Sequence, residues 1–470
     1  MKKLLQFCLC STLVFCLCFQ GAFPAQASFF FGGVGIKDEL EMGRKFDLLV
    51  RSRLPMIEDP EVNQYVRSIV EKLLGVLPPQ PFRYTTSVIR HNAMNAFAVP
   101  GGYVYVFSGL ILNFDDEAEL AGVLAHELAH VTQRHVASRI ERGQWLTLGS
   151  LLLAIAGIAA GGSAGGAAIA TAMTASQSAM LNYSRIDETE ADHMAFQYIM
   201  KAGYNPQGLV NGFQKIRRKS WMSGSSVPPY LSTHPDLGDR IAGISSRIEA
   251  LPQNTRKLQG NNQRFLRVKT LLLGRYGDAD LALQSFAKSP ANDCLAQMGK
   301  GMVLSRQNKV PAAAQAFEKA LACGPDDPLV LREAGIFHYN RGEQGKSGPL
   351  LLKAMEKDPN DYVARFYYAR LMDESGKAPL AHAHYKEVLR YVPDDTDVHE
   401  FYGRSLGKAH QLFQAYLHLS YAAMYSNNKK KTKQFMDKAK TAIKTADEQR
   451  EFDLFNERYT ERNAIWEDAL

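Results

Sequence analysis

The segment Ala125-His126-Glu127-Leu128-Ala129-His130 sets two imidazoles four residues apart, with a glutamate beside the first, inside an apolar run. On a helix, positions i and i+4 share a face, so both histidines can address one metal ion. Neutral imidazole is a good Zn2+ ligand, and two protein nitrogens leave room for a third ligand and a water. Glu127 then lies next to that water, where a carboxylate can take its proton. A second acidic group, Glu188, Glu190 and Asp192, opens another helical pattern through Met194, Phe196 and Ile199. Glu188 and Asp192 again stand at i and i+4. A carboxylate from this helix completes a His2Glu site, and spacing permits either Glu188 or Glu190. Asp192, one turn on, can accept the free N–H of a ligand histidine and fix its tautomer. Alone, these acids read as an ordinary solvated face; the upstream motif gives them a metal to meet.

Several elements must position these groups. Asp115 to Val123 (DDEAELAGV) carries acids early and apolar residues at helical spacing, so the His-Glu-x-x-His motif sits on a helix that begins there. Residues 95–107 (NAFAVPGGYVYVF) read as a turn feeding a strand, with Tyr103, Tyr105 and Phe107 on one face and Val104 and Val106 on the other. Residues 38–75 hold two amphipathic helical patterns, broken near Leu54-Pro55 and restarted at Asp59-Pro60-Glu61, a good helix N-terminus. His234, beside Pro235 in a polar loop, reads by itself as a surface or helix-entry residue. His135, five after His130, falls off the metal-facing side of a continuous helix.

Three features together resemble the M48 zinc metallopeptidases: His126-Glu127-x-x-His130, Ser184-Arg185-x-x-Glu188-x-x-Ala191-Asp192, and Asn95-Ala96-Phe97-Ala98-Val99-Pro100-Gly101-Gly102. The resemblance covers roughly residues 37–250. It implies one Zn2+ per chain held by His126, His130 and Glu188, with Glu127 and Asp192 as the catalytic carboxylates. It implies that the 95–107 segment, through Asn95, Phe97 and Ala98, is an active-site edge strand that pairs with extended substrate. It also implies that His234 lies near the zinc and restrains activity.

The second half repeats. Pro325, Pro359 and Pro393 are evenly spaced, and the same period links Phe317, Leu351 and Tyr385, and Gly335, Ala369 and Gly403. A period of about 34 residues with small, aromatic and proline positions is the tetratricopeptide signature, whose stacked helix pairs offer a concave surface to peptides or partner proteins. A unit around 262–293 looks degenerate, and after about 397 the period loses its proline and leads into capping helices. Lys429-Lys430-Lys431 reads as a solvated loop or helix start. Residues 252–262 (PQNTRKLQGNN) read as a linker.

Lys2 and Lys3 precede an apolar run that ends in Ala25-Gln26-Ala27, a small-x-small cleavage signal, so export with cleavage after about Ala27 is expected. Cys8, Cys10, Cys16 and Cys18 leave with that segment. The remaining Cys294 and Cys323 permit one disulfide without forcing it. The net charge of +7, or +5 without Lys2 and Lys3, is too mild to argue for nucleic acid. The run from Trp145 to Ala160 carries no charge, and glycines then separate it from a second small-apolar run to Leu181. The 145–181 stretch is short for two spans, which leaves burial against the protease core, peripheral membrane contact or an apolar partner.

The expected fold is therefore α-rich with a small β-sheet at the active site. A signal peptide (1–27) precedes a gluzincin-type metallopeptidase domain (28–250), a linker (251–263) and an α-solenoid of tetratricopeptide repeats with capping helices (264–470). An exported M48 domain followed by such repeats is similar to the periplasmic β-barrel assembly-enhancing protease family. That similarity implies hydrolysis of unfolded or misassembled exported proteins and contact with the outer-membrane β-barrel assembly complex. The alternative is a chaperone-like repeat scaffold whose protease is latent.

Overall fold

The computed structural model describes residues 33–141, 184–222, 229–253, 262–290 and 292–468. The expectations for the 1–27 leader, the 145–181 apolar stretch and most of the linker fall outside these residues.

The chain opens with helices α1 (Ile36–Arg53) and α2 (Pro60–Leu74). The acid-proline pair works as the sequence suggests: the Asp59 carboxylate accepts from the Val62 N–H at 3.2 Å, and Pro60 starts the helix. Three strands follow, β1 (Thr85–Ile89), β2 (Ala96–Val99) and β3 (Tyr103–Phe107), in the order β1-β3-β2. β3 is central, parallel to β1 and antiparallel to β2. The 95–107 segment is thus a hairpin rather than a turn feeding a single strand. Gly101 and Gly102, at φ 81° and 84°, turn the chain in a region side chains disfavour, which lets the four residues before Pro100 pair back. The expected faces are present. Val104 and Val106 join the main core, while Tyr105 and Phe107 pack with Phe46 and Val50 on the other side.

Helices α3 (Ser108–Asn113), α4 (Glu117–Thr132) and α5 (His135–Glu141) come next. α4 is capped by Asp116, whose carboxylate accepts from the Glu119 N–H at 2.9 Å, and is buried from Ala118 to Val131. α6 (Arg185–Lys201) and α7 (Gln207–Met222) pack across it. Gly122 allows the α4–α7 approach: a Cβ there would stand 2.6 Å from the Leu209 Cα. The short α8 (Pro229–Thr233) and α9 (Leu237–Glu249) complete this half.

The second half is a stack of helix pairs: α10 (Gln263–Tyr276) with α11 (Ala279–Ala287), α12 (Cys294–Arg306) with α13 (Val310–Cys323), α14 (Pro328–Asn340) with α15 (Gln344–Lys357), α16 (Tyr362–Glu374) with α17 (Ala378–Tyr391), and α18 (Thr396–Lys408) with α19 (Leu412–Tyr425). α20 (Lys429–Ala442), begun by the lysine run, and α21 (Ala446–Asp468) end it. The first helix of four successive pairs is capped by Asp293, Asp327, Asp361 and Asp395, which recur at the period of the prolines. This aspartate series is a signal in the sequence as regular as the prolines two residues before its last three members. Among the described helices none is long and apolar enough to cross a membrane.

The two halves share a core. One apolar cluster runs from Ile57 and Val62 through α4 and α9 to Phe265, Met298 and Phe337. Ion pairs reinforce the contact: Arg267 meets Glu61 at 2.7 Å, Arg332 meets Asp59 at 2.9 Å and Arg51 meets Asp394 at 3.4 Å. α10 packs on α2 and α3, and α14 reaches the start of α2 through Arg332.

Cys294 and Cys323 are disulfide-bonded, joining the start of α12 to the end of α13. Closing a 29-residue loop restricts the unfolded chain. Replacing both cysteines with serine is expected to lower stability by about 3–4 kcal/mol, seen as a lower denaturant midpoint under oxidising conditions only.

Candidate metal centre

α4 and α6 lie side by side, and their i, i+4 pairs meet face to face. His126 Nε2 lies 3.0 Å from His130 Nε2 and 3.4 Å from Glu188 Oε2, while His130 Nε2 is 3.4 Å from Glu188 Oε1. His234, at the end of α8, adds its Nδ1 at 2.8 Å from Glu188 Oε1 and 3.3 Å from His126 Nε2. One donor atom from each of these four residues lies within 4.8 Å of the others, and all four side chains are buried. Such a cluster of nitrogens and a carboxylate oxygen, closed off from water, suits a metal ion. Glu127 stands alongside, its Oε1 3.5 Å from His234 Nε2. That oxygen and the Tyr230 hydroxyl are buried without a hydrogen-bond partner. Two orphaned polar atoms beside the donor cluster call for a partner such as water or substrate.

The outer sides of the two motif histidines are held differently. His126 Nδ1 is 3.0 Å from Asp192 Oδ1, which leaves Nε2 for the donor cluster. Asp192 is therefore a support for His126 and not one of the clustered donors. His130 Nδ1 contacts His135 Nδ1 at 2.8 Å. Glu190, the alternative ligand by spacing, points away from the cluster and its side chain is half exposed.

Sequence reasoning missed Arg240. Its Nε and Nη2 grip Asp192 Oδ2 and Oδ1, both at 2.7 Å, and its Nη1 pairs with Glu188. The signal was present: Leu237, Arg240, Ile241, Ile244 and Ile248 form the buried face of α9, so an arginine occupies a core position. A charge there requires a partner.

Burial raises the Glu127 carboxyl against the pull of His234 and His126, as suits a base that must hold a proton transiently. Burial also disfavours ionised Glu188, but His234, Arg240 and the two motif histidines outweigh it and hold the carboxyl well below the usual range. His130 is driven well below the ordinary imidazole range, first by burial, so its ring is neutral and free to donate a lone pair.

The substrate-binding candidates lie on the β2 edge. Phe97 stacks on Tyr105 with centroids 4.8 Å apart, Ala98 is buried against the core, and the Asn95 carbonyl accepts from the Phe107 N–H at 3.0 Å. Among the described residues β2 has β3 as its one strand partner, so it stands at the edge of the sheet.

Residues 58–248 match Peptidase family M48, and residues 272–328 match the tetratricopeptide repeat. A relative from Vibrio cholerae is 33% identical over 72% of this chain and 63% of its own. The beta-barrel assembly-enhancing protease of Yersinia pestis is 29% identical over 74% of this chain and 72% of its own. The protein of the same name from Escherichia coli K12 is 30% identical over 63% and 62%. The chain spans less than two thirds of the length of the Vibrio and Escherichia relatives. The buried donor cluster on α4 and α6 and the capped helix pairs behind it agree with these matches: the chain carries a peptidase family M48 domain over residues 58–248, followed by tetratricopeptide repeats.

Proposed function

We propose that this protein is an exported, periplasmic zinc endopeptidase that hydrolyses peptide bonds of unfolded or misassembled proteins in outer-membrane protein quality control. The observation that carries it is the convergence of His126, His130 and Glu188 with Glu127 alongside, all buried. When bound there, zinc polarises the scissile carbonyl and acidifies water. Glu127 takes a proton from the attacking water and passes it to the leaving amine, for which its raised affinity for protons is suited. Asp192, clamped by Arg240, keeps His126 in the tautomer that presents Nε2. As the edge strand of the sheet, β2 accepts an extended segment through backbone hydrogen bonds, which makes few demands on sequence and suits unfolded substrates. The lysine-led apolar leader supports export, and the names of two relatives support a link to β-barrel assembly. The repeats would recruit substrate or that assembly complex on the faces left free by the peptidase half.

His234 favours a restrained enzyme. It stands among the donors, stacks on Tyr230 with centroids 4.4 Å apart and faces Glu127. With a metal bound, a fourth protein donor would take the position that water needs, so only the fraction with His234 withdrawn would be competent. The same contact supports a second reading, a repeat scaffold whose protease is mostly latent. Cleavage of unfolded casein by purified protein decides between them. His234→Ala is expected to raise the rate about fivefold or more by enlarging the competent fraction. A rate unchanged in His234→Ala removes the restraining role, and no cleavage by either protein supports the scaffold.

A further inference from the structure

His135 lies outside the donor cluster, yet it is buried and its Nδ1 is 2.8 Å from His130 Nδ1. On a continuous helix a five-residue offset turns a side chain about 140° away from its neighbour. Here the helix breaks. α4 ends at Thr132 and Arg134 takes φ 53°, a left-handed conformation rare for a side-chain-bearing residue. The Arg134 guanidinium is tied to buried Glu39 at 2.7 Å, which holds the bend. α5 starts again at His135 and brings its ring back onto His130, with centroids 5.0 Å apart. On its far side, His135 Nε2 is 3.3 Å from Glu190 Oε2.

We propose that His135, backed by Glu190, is a positioning residue for the metal ligand His130. The inference rests on the reading of His130 as a ligand. Two ring nitrogens 2.8 Å apart share one proton between them, so one donates and the other accepts. With His130 Nε2 turned to the donor cluster, its Nδ1 carries the N–H, and His135 Nδ1 accepts it. His135 is then the tautomer protonated at Nε2, and that N–H donates to Glu190. The chain His130, His135, Glu190 does for one ligand what Asp192 and Arg240 do for the other. It also gives Glu190 a use, since the same acidic helix supplies Glu188 to the donor cluster and Glu190 to the outer support.

The test is zinc affinity of the full chain, measured by competition with a chromophoric chelator, for wild type, His135→Ala, His135→Asn and Glu190→Gln. Loss of an outer hydrogen-bond partner weakens metal binding by roughly 10–100-fold, the effect expected for His135→Ala. Asparagine places a carbonyl oxygen near the position of Nδ1, so His135→Asn is expected to recover most of the affinity. Glu190→Gln, which still accepts through its amide oxygen, is expected to cost less than His135→Ala. Thermal melts of the apo proteins separate this role from packing: a packing residue lowers the melting temperature without distinguishing asparagine from alanine in affinity. Wild-type affinity in His135→Ala, or equal weakening in the alanine and asparagine variants, overturns the inference. Absence of zinc binding by wild type instead overturns the reading of the donor cluster on which it rests.

Discussion

Glu127→Gln is expected to reduce peptide hydrolysis by about 10³-fold while one zinc per chain stays bound. The substitution keeps the shape of the side chain and removes its ability to accept a proton; general-base groups contribute about 10²–10⁴-fold. Glu127 is not one of the four clustered donors, so the metal site keeps its full set. Its carboxyl is buried and raised, so the neutral amide introduces no new unpaired charge, and the variant should fold at least as well as wild type. Casein cleavage together with metal content and a melting curve checks all three points. A Glu127→Gln protein that cleaves at the wild-type rate removes Glu127 from the mechanism.

The largest stability effect is expected far from that site. Arg332 is 1% exposed and meets Asp59 at 2.9 Å, Asp361 at 3.2 Å and Glu333 at 2.8 Å. Arg275 adds a second cation, 2.5 Å from Glu333. Asp59 and Asp361 also cap the N-termini of α2 and α16, so one guanidinium ties two helix starts from different halves of the chain. Burial holds the Asp361 carboxyl above its ordinary range even against the opposing pull of Arg332. Arg332→Met leaves three buried carboxylates facing one arginine. Breaking a buried pair in this way costs about 3–5 kcal/mol, chiefly from the uncompensated charges. The exposed pair Arg404–Glu400 gives the contrast: Arg404→Ala is expected to cost less than about 0.5 kcal/mol, because solvent screens it. Urea midpoints of the two variants measure the difference. Equal midpoints mean that the Arg332 cluster does not join the halves.

What the sequence disclosed follows from periodicity. His126 and His130, and Glu188 and Asp192, are legible because a helix places i and i+4 on one face, and that rule holds before any packing is known. The repeats are legible for the same reason at a longer period, which the prolines mark. The hidden groups are those that depend on a break or on contact between distant segments. His135 falls off the metal-facing side only if the helix continues through Arg134, where the chain in fact turns left-handed. β2 reads as a turn because its four residues, AFAV, carry too short an alternation to mark a strand before the two glycines. Arg240 carries a readable anomaly, a charge at a core position of α9, but its partners Asp192 and Glu188 lie on another helix, far away in the chain. The Asp59–Arg332 pair spans 273 residues and has no local trace beyond Asp59's fitness as a cap. The linker marks a change of composition, while the shared core shows that the halves fold against each other.

The central claim is that the buried cluster on α4, α6 and α8 holds one catalytic zinc. Metal content of the purified full chain tests it directly, with mass-spectrometric metal analysis of wild type, Glu127→Gln and a His126→Ala/His130→Ala double variant. One zinc per chain in the first two proteins and none in the third is the expected result. A metal-free wild type, or zinc retained equally in the double variant, contradicts the account.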